Sequence, residues 1–163
     1  MVATAEEIGD AILIESISWK RGTTGTTSDG SYNDFNIYLG YTSLDMLTTE
    51  FNENFTALSR TLVHHRDPQT LSAEPEEWFT IELDSPFWYN GVDNLILEVT
   101  WNTSTGNPSS YGFDTPMTPV SVKSADPVGS SGFLSSMRCQ FMLNGTQALE
   151  NGTFASIKVL LGS

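Results

Sequence analysis

The chain has 163 residues, enough for a single domain with a substantial core, beside which a small second domain would be crowded. Twenty acidic against seven basic side chains give a formal charge of −13, and this surface repels nucleic-acid phosphates and anionic membranes, so neither is expected as a partner. No apolar run is long enough to span a bilayer as a helix, so membrane insertion is not expected.

Residues 1–7 lack the basic and apolar regions of a signal peptide. The wealth of Gly, Ser, Thr and Asn nevertheless has the look of an extracellular β protein, and we expect a fragment of a secreted parent. The single cysteine, Cys139, excludes an intrachain disulfide and reads as a small buried hydrophobe.

In chain order, residues 1–9 read as a loose lead-in. Residues 10–20 read as a strand whose phase breaks: Ile12 and Ile14 share one parity, Ile17 and Trp19 the other. A bulge near Glu15 and Ser16 would reconcile them. Residues 21–32 read as a polar loop. Phe35, Ile37, Leu39 and Tyr41 alternate cleanly as a strand.

Leu44, Leu47, Phe51, Phe55 and Leu58 then fall at helical spacing. This predicts one or two helical turns over 43–51, or else an irregular crossover that plugs one end of a sandwich. Residues 61–65 read as a strand and 66–76 as a loop.

The stretch 77–101, EWFTIELDSPFWYNGVDNLILEVTW, organises the chain. Phe79, Ile81 and Leu83 alternate with polar residues, and Leu95, Leu97, Val99 and Trp101 do so again, so two strands with one buried face are predicted. Between them, 84–94 supplies breakers and turn formers. Further on, 111–119 reads as an edge or irregular segment, Val120 and Val122 as a short strand, 137–143 as a strand, Asn144-Gly145 and Asn151-Gly152 as turns, and 154–161 as a last strand. About eight strands without a repeat predict one all-β domain over 1–163: a two-sheet antiparallel β-sandwich, jelly-roll-like, with an immunoglobulin-like sandwich as the alternative.

No residue set stands out as catalytic. His64 and His65 are adjacent and would face opposite ways on a strand, so surface or loop-edge positions are expected for both. No Gly-x-Ser-x-Gly elbow occurs. Glu82 and Glu98 read as the polar face of half-buried strands rather than as a glycosidase pair. We therefore expect no enzymatic activity and no cofactor, apart from a possible structural calcium.

Calcium requires convergent oxygens. Asp84, Asn90, Asp93 and Asn94 are the first candidate ligand set, and Asp29, Asn33 and Asp34 are a second. Without the ion they are turn formers that bond to their own backbone. Trp78, Trp88 and Tyr89 are the candidate ligand-binding residues, as stacking platforms for a sugar. Four Asn-x-Ser/Thr sequons, at Asn54, Asn102, Asn144 and Asn151, leave glycosylation open.

One pattern resembles a known kind of module. Trp78, Ile81, Leu83, Pro86, Phe87, Tyr89, Gly91, Asn94, Leu95, Ile96 and Glu98 are similar to the core motif of β-sandwich accessory or adhesive modules in bacterial secreted, multidomain surface proteins. The likeness spans roughly residues 8–143. It implies an extracellular or cell-surface location and a non-catalytic, structural or adhesive function, with neighbouring domains or protein subunits as partners. It names no catalytic residue. A carbohydrate-binding module that takes polysaccharide is the alternative. A surface-fibre subunit whose last strand, 154–161, is exchanged between copies is another.

Overall fold

A computed structural model describes residues 1–23, 29–106, 112–114, 121–124, 126, 129–148 and 154–161. Its elements are β1 (Val2–Ala3), α1 (Ala5–Ile8), β2 (Ile12–Lys20), β3 (Asp29–Asn33), β4 (Phe35–Thr42), a 3-10 turn (Phe51–Asn54), β5 (Thr61–Arg66), β6 (Gln69–Ser72), β7 (Trp78–Tyr89), β8 (Asn94–Thr100), β9 (Thr103–Gly106), β10 (Gly112–Asp114), β11 (Ser121–Lys123), β12 (Phe133–Ser135), β13 (Met137–Cys139), β14 (Phe141–Ala148) and β15 (Phe154–Leu161). Two four-stranded sheets, β1-β8-β4-β5 and β15-β14-β2-β7, are antiparallel throughout and form the sandwich. A three-stranded sheet, β6-β3-β9, packs Tyr32 and Leu71 against the same core, and β10-β13 and β11-β12 are two-stranded pairs.

The alternating runs build the core as expected. Ile12, Ile14 and Ile17 of β2, Ile37 and Leu39 of β4, Ile81 of β7, Leu95 and Leu97 of β8, and Phe141 and Leu143 of β14 are all buried between the sheets. The phase break in β2 is a bulge: the register against β7 shifts between Ile14 and Ser16, which leaves Glu15 over on β2 and 83–86 over on β7, and returns both apolar pairs of β2 to the same face.

Several expectations are corrected. The loops expected over 21–32 and 66–76 contain β3 and β6, and the stretch 84–94, expected as turn, continues β7 as far as Tyr89. Residues 1–9 are not loose. Val2 and Ala3 are buried and pair with Ile96 and Leu95, and Thr4 and Glu7 close a capping box around α1. A two-residue strand is too short to show a period, which is why the pattern hid it.

Asn144-Gly145 is not a turn but the middle of β14. The register against β2 shifts there, and a Cβ on Gly145 would stand 1.9 Å from the Leu13 carbonyl oxygen, so the glycine marks a close strand approach. The Asn151-Gly152 turn, and most of the segment expected at 111–119, lie outside the described residues.

Residues 43–51 form no helix; the only helical turn in the crossing is the 3-10 turn at Phe51–Asn54. Asn54 competes with the backbone for its own hydrogen bonds. Its Oδ1 accepts from Thr48 N–H at 2.7 Å, and its Nδ2 donates to the Thr48 and Glu50 carbonyls at 3.1 and 2.9 Å. The crossing thus tightens into a loop laid on the outer face of the first sheet, where Leu47 joins Val2 and Ile96 in a small second core with Phe55 packed against it. Gly40 makes room for it: a Cβ there would lie 2.7 Å from the Phe55 ring.

Candidate functional site

The outer face of β15-β14-β2-β7 is read directly from the strand register. One row across it is Leu160, Met142, Ser18, Thr80; the next is Lys158, Asn144, Ser16, Glu82; the next is Ser156, Thr146, Leu13, Trp88. Trp78 sits opposite Lys20 at the far end of β7. Most apolar residues of these strands point the other way, into the core, and the hydroxyl and amide side chains of Ser16, Ser18, Thr80 and Asn144 fall together on three adjacent strands of the outer face.

Those side chains are bonded to one another. Asn144 Nδ2 donates to Ser18 Oγ at 2.9 Å and to Ser16 Oγ at 3.2 Å, and the Ser18 and Thr80 hydroxyls meet at 2.7 Å. The ladder fixes rotamers that would otherwise lose entropy on meeting a ligand. Asn144 Oδ1 has no hydrogen-bond partner among the described residues. A shallow groove along the same rows is lined by Glu15, Ser16, Glu82, Asn144, Ser156 and Lys158.

The candidate sugar platforms divide. Trp88 is half exposed, and Trp78 is partly buried and outside the core cluster; both share the outer face, at opposite ends of β7. Their partners Lys20 and Leu13 are seven positions apart on β2, at most about 23 Å at roughly 3.3 Å per residue. Tyr89 is corrected as a platform. It alternates with Trp88, faces the core and is 0% exposed. Its hydroxyl has no hydrogen-bond partner among the described residues, and burial first, then Asp93 and Tyr41, push its pKa up.

The four residues expected to converge on calcium lie in three settings. Asp84 belongs to a stitch between the sheets, where the edge strands β5 and β7 meet: it accepts the His65 backbone N–H at 2.8 Å and pairs with Arg66 at 2.6 Å. The His65 N–H, foremost, together with Arg66, holds its carboxyl below the usual range.

Asn90 and Asp93 do come together, in the turn after β7, where Asn90 Oδ1 accepts the Val92 and Asp93 N–H groups and its Nδ2 donates to Asp93 at 2.7 Å. Asn94 faces elsewhere: it accepts the first N–H of α1 and donates to Leu44 O and Asp45 Oδ1. In the second candidate set, Asp29 bonds Ser72, while Asp34 takes Asn102 and Asn36. Among the described residues no group of three or more His, Cys, Asp and Glu side chains is placed to hold a metal ion.

His64 is not at the surface. It is 3% exposed, and its ring nitrogens meet the Glu82 carbonyl and Gln69 Oε1, each at 2.9 Å, so it belongs to the same stitch as Asp84. A register shift between Ile37 and Tyr38 turns both Val63 and His64 inward, against simple alternation. Cys139 is partly buried against the core. Of the sequons, Asn54 is buried and Asn144 is held in the ladder, which removes both as accessible acceptors.

Comparison with protein-family models, with curated proteins and with solved structures finds no match. The site must therefore be read from its own chemistry.

Serines, threonine and asparagine between two indoles were not singled out by the sequence as a set. Their signal was present, as polar residues at every second position in 16–18, 80–82 and 144–146, but strand order is needed to bring the three runs together.

Proposed function

We propose that the domain is a non-catalytic adhesive module of an extracellular bacterial surface protein, and that it adheres by holding a neutral polysaccharide on the outer face of β15-β14-β2-β7. The observation that carries this reading is the shared face of Trp78 and Trp88, with a bonded hydroxyl and amide ladder between them. Sugar rings present C–H faces that stack on indoles and hydroxyls that both donate and accept, which is what Ser, Thr and Asn offer in return. Charges on the face are mixed, with Lys158 and Lys20 beside Glu15 and Glu82, and this favours an uncharged chain over a polyanion. The extracellular location rests on the resemblance of the 78–98 motif and on composition. Neighbouring domains or subunits of the parent remain its expected protein partners.

A glycan array probed with the wild-type domain, Trp88→Ala and Trp78→Ala tests the reading. Binding to at least one neutral glycan is expected, weakened about tenfold or more by either substitution, as for a loss above ~1.4 kcal/mol. Binding to none, or binding untouched in both variants, would contradict it. The strand-exchanged fibre is the second reading. It draws on β15, which stands at the sheet edge and pairs over all eight residues with β14 of its own chain. A strictly monomeric particle in sedimentation would remove that reading and leave the first intact.

A further inference from the structure

We infer that the cavity at the end of the sandwich where β8 runs out toward Trp101 is a binding site for one uncharged, largely apolar small molecule. Its volume is about 450 Å³, and it runs from the inner face at Trp19 and Phe79 around the edge of β8 to Leu47, Phe55 and Ile96 under the covering loop. Protein interiors are close-packed, with few voids larger than a water molecule, whereas small-molecule sites occupy roughly 300–1,000 Å³ and are lined mainly by apolar and aromatic side chains.

The walls have that character. Trp19 and Phe79, stacked with centroids 5.9 Å apart, come from β2 and β7, and Trp101 meets the Tyr32 ring edge-on at 5.4 Å. Val99 and Cys139 complete this part of the lining.

The burial pattern shows that the space is not an ordinary packing gap. Along β8 the inward stripe is closed at Leu95 and Leu97, which are 1% and 2% exposed. The same stripe is only partly buried at Val99 and Trp101, although both pack against the core. Phe79, Tyr32 and Cys139 across the space are in the same condition. The change of state coincides with the end of β1: Met1 exchanges backbone hydrogen bonds with Leu97 at 2.8 and 2.9 Å, and among the described residues no strand pairs with that edge of β8 beyond this point.

Charge selects the ligand class. Among the described residues the lining contains no lysine or arginine to receive an acid, and the Met1 amine at its edge already donates to the Leu97 carbonyl at 2.8 Å. Its two carboxylates are Glu98, which is tied to Arg60 at 2.7 Å, and Asp126, which is exposed, and the chain as a whole carries −13. An anion is thus disfavoured twice, by desolvation and by the field. The site is separate from the proposed polysaccharide face: Trp19 and Phe79 occupy the inner face of the sheet whose outer face carries Ser18, Thr80 and Trp78.

The test uses two dyes with closely related rings, neutral N-phenyl-1-naphthylamine and its sulfonated analogue 1-anilinonaphthalene-8-sulfonate. The folded chain is expected to bind the neutral dye saturably at one site, with quenching of tryptophan emission by energy transfer, and to bind the sulfonate at least about tenfold more weakly. Val99→Phe and Cys139→Phe fill the cavity, so each should weaken the neutral dye about tenfold or more while the thermal midpoint holds or rises. Where one variant fails to fold, the other decides. No saturable binding of the neutral dye, equal binding of both dyes, or unchanged affinity in the folded variants would overturn the inference.

Discussion

The two four-stranded sheets turn similar apolar faces toward each other, yet their outer faces are handled in opposite ways. On β1-β8-β4-β5 the chain covers itself. Residues 43–58 fold over Val2 and Ile96, Phe55 lies against Gly40, and Arg60 spreads over the Tyr38 ring at 3.5 Å while pairing with Glu98. On β15-β14-β2-β7 a small polar ladder runs through the outer rows among single apolar side chains, Leu160, Met142, Leu13 and Trp88, of which Leu160 and Trp88 stand about half exposed. Apolar residues on an outer face oblige the chain to supply a cover. A bonded polar ladder needs none and remains available to a partner. On this view the first outer face serves stability and the second serves recognition.

That division can be broken first from the covered side. Ile96→Ala should cost about 3 kcal/mol, because a methyl-rich side chain at 3% exposure leaves a cavity under the loop. Urea unfolding should show it, with glycan binding unchanged for the fraction still folded. Asn54→Ala should cost about 2 kcal/mol, since the Thr48 N–H and two carbonyls lose their partner. Limited proteolysis should then cut first within 43–58.

Two linkages sharpen the same comparison through pH, and both concern the segment that edges the covered sheet. Burial lowers the Met1 amine of this chain from 8.0 to about 6. The protonated amine is therefore disfavoured in the fold, and stability should fall as pH drops from 8 to 6, by roughly 2 kcal/mol at most. Burial alone would raise the Glu7 carboxyl, but the Arg138 guanidinium, bonded at 2.9 and 2.5 Å, and the Thr4 N–H bring it below its ordinary 4.5. A depressed carboxylate stabilises above its unfolded value, and that contribution is lost as pH falls through the folded one. Both effects thus act in the same direction, toward a fold weakened in acid, the amine between pH 8 and 6 and the carboxyl below 4.5, and thermal melts from pH 8 to about 3 check the sign. The smallest stability effect belongs to the open face: Trp88→Ala should change the unfolding free energy by only about 0.5 kcal/mol, as for surface substitutions generally, while weakening glycan binding the most.

How much of this was legible in the sequence depended on the length of each pattern. Strands of seven or more residues, such as β4, β8 and β15, announce themselves by alternation, although the burial of Ile96 on the outer side of β8 did not show in it, and the bulge in β2 followed from a break in that alternation. Short pairings did not: Val2–Ala3 and Gln69–Ser72 are held by partners distant in sequence rather than by local pattern. Helical spacing in 43–58 misled because Asn54 draws the backbone into a loop and the apolar residues serve a sheet face instead. Asn-Gly misled at 144–145 because the glycine serves a close strand approach and the asparagine a side-chain ladder. For the candidate site, Trp78 and Trp88 were nameable by parity. Tyr89 fell by the same rule, since neighbours on a strand cannot share a face. The Ser16, Ser18, Thr80 and Asn144 ladder required the order of β14, β2 and β7, which no single run encodes.

The four tryptophans offer the most direct test, because the fold divides them evenly: Trp78 and Trp88 on the open outer face, Trp19 and Trp101 lining the interior cavity. Their indole N–H resonances, followed by nitrogen-15 NMR while the domain is titrated with neutral polysaccharides such as β-glucan, xylan and galactomannan, report on each ring separately. The account predicts that at least one polysaccharide shifts or broadens Trp78 and Trp88 and leaves Trp19 and Trp101 in place. Shifts confined to Trp19 and Trp101, or four unmoved indoles with every polysaccharide, would contradict it.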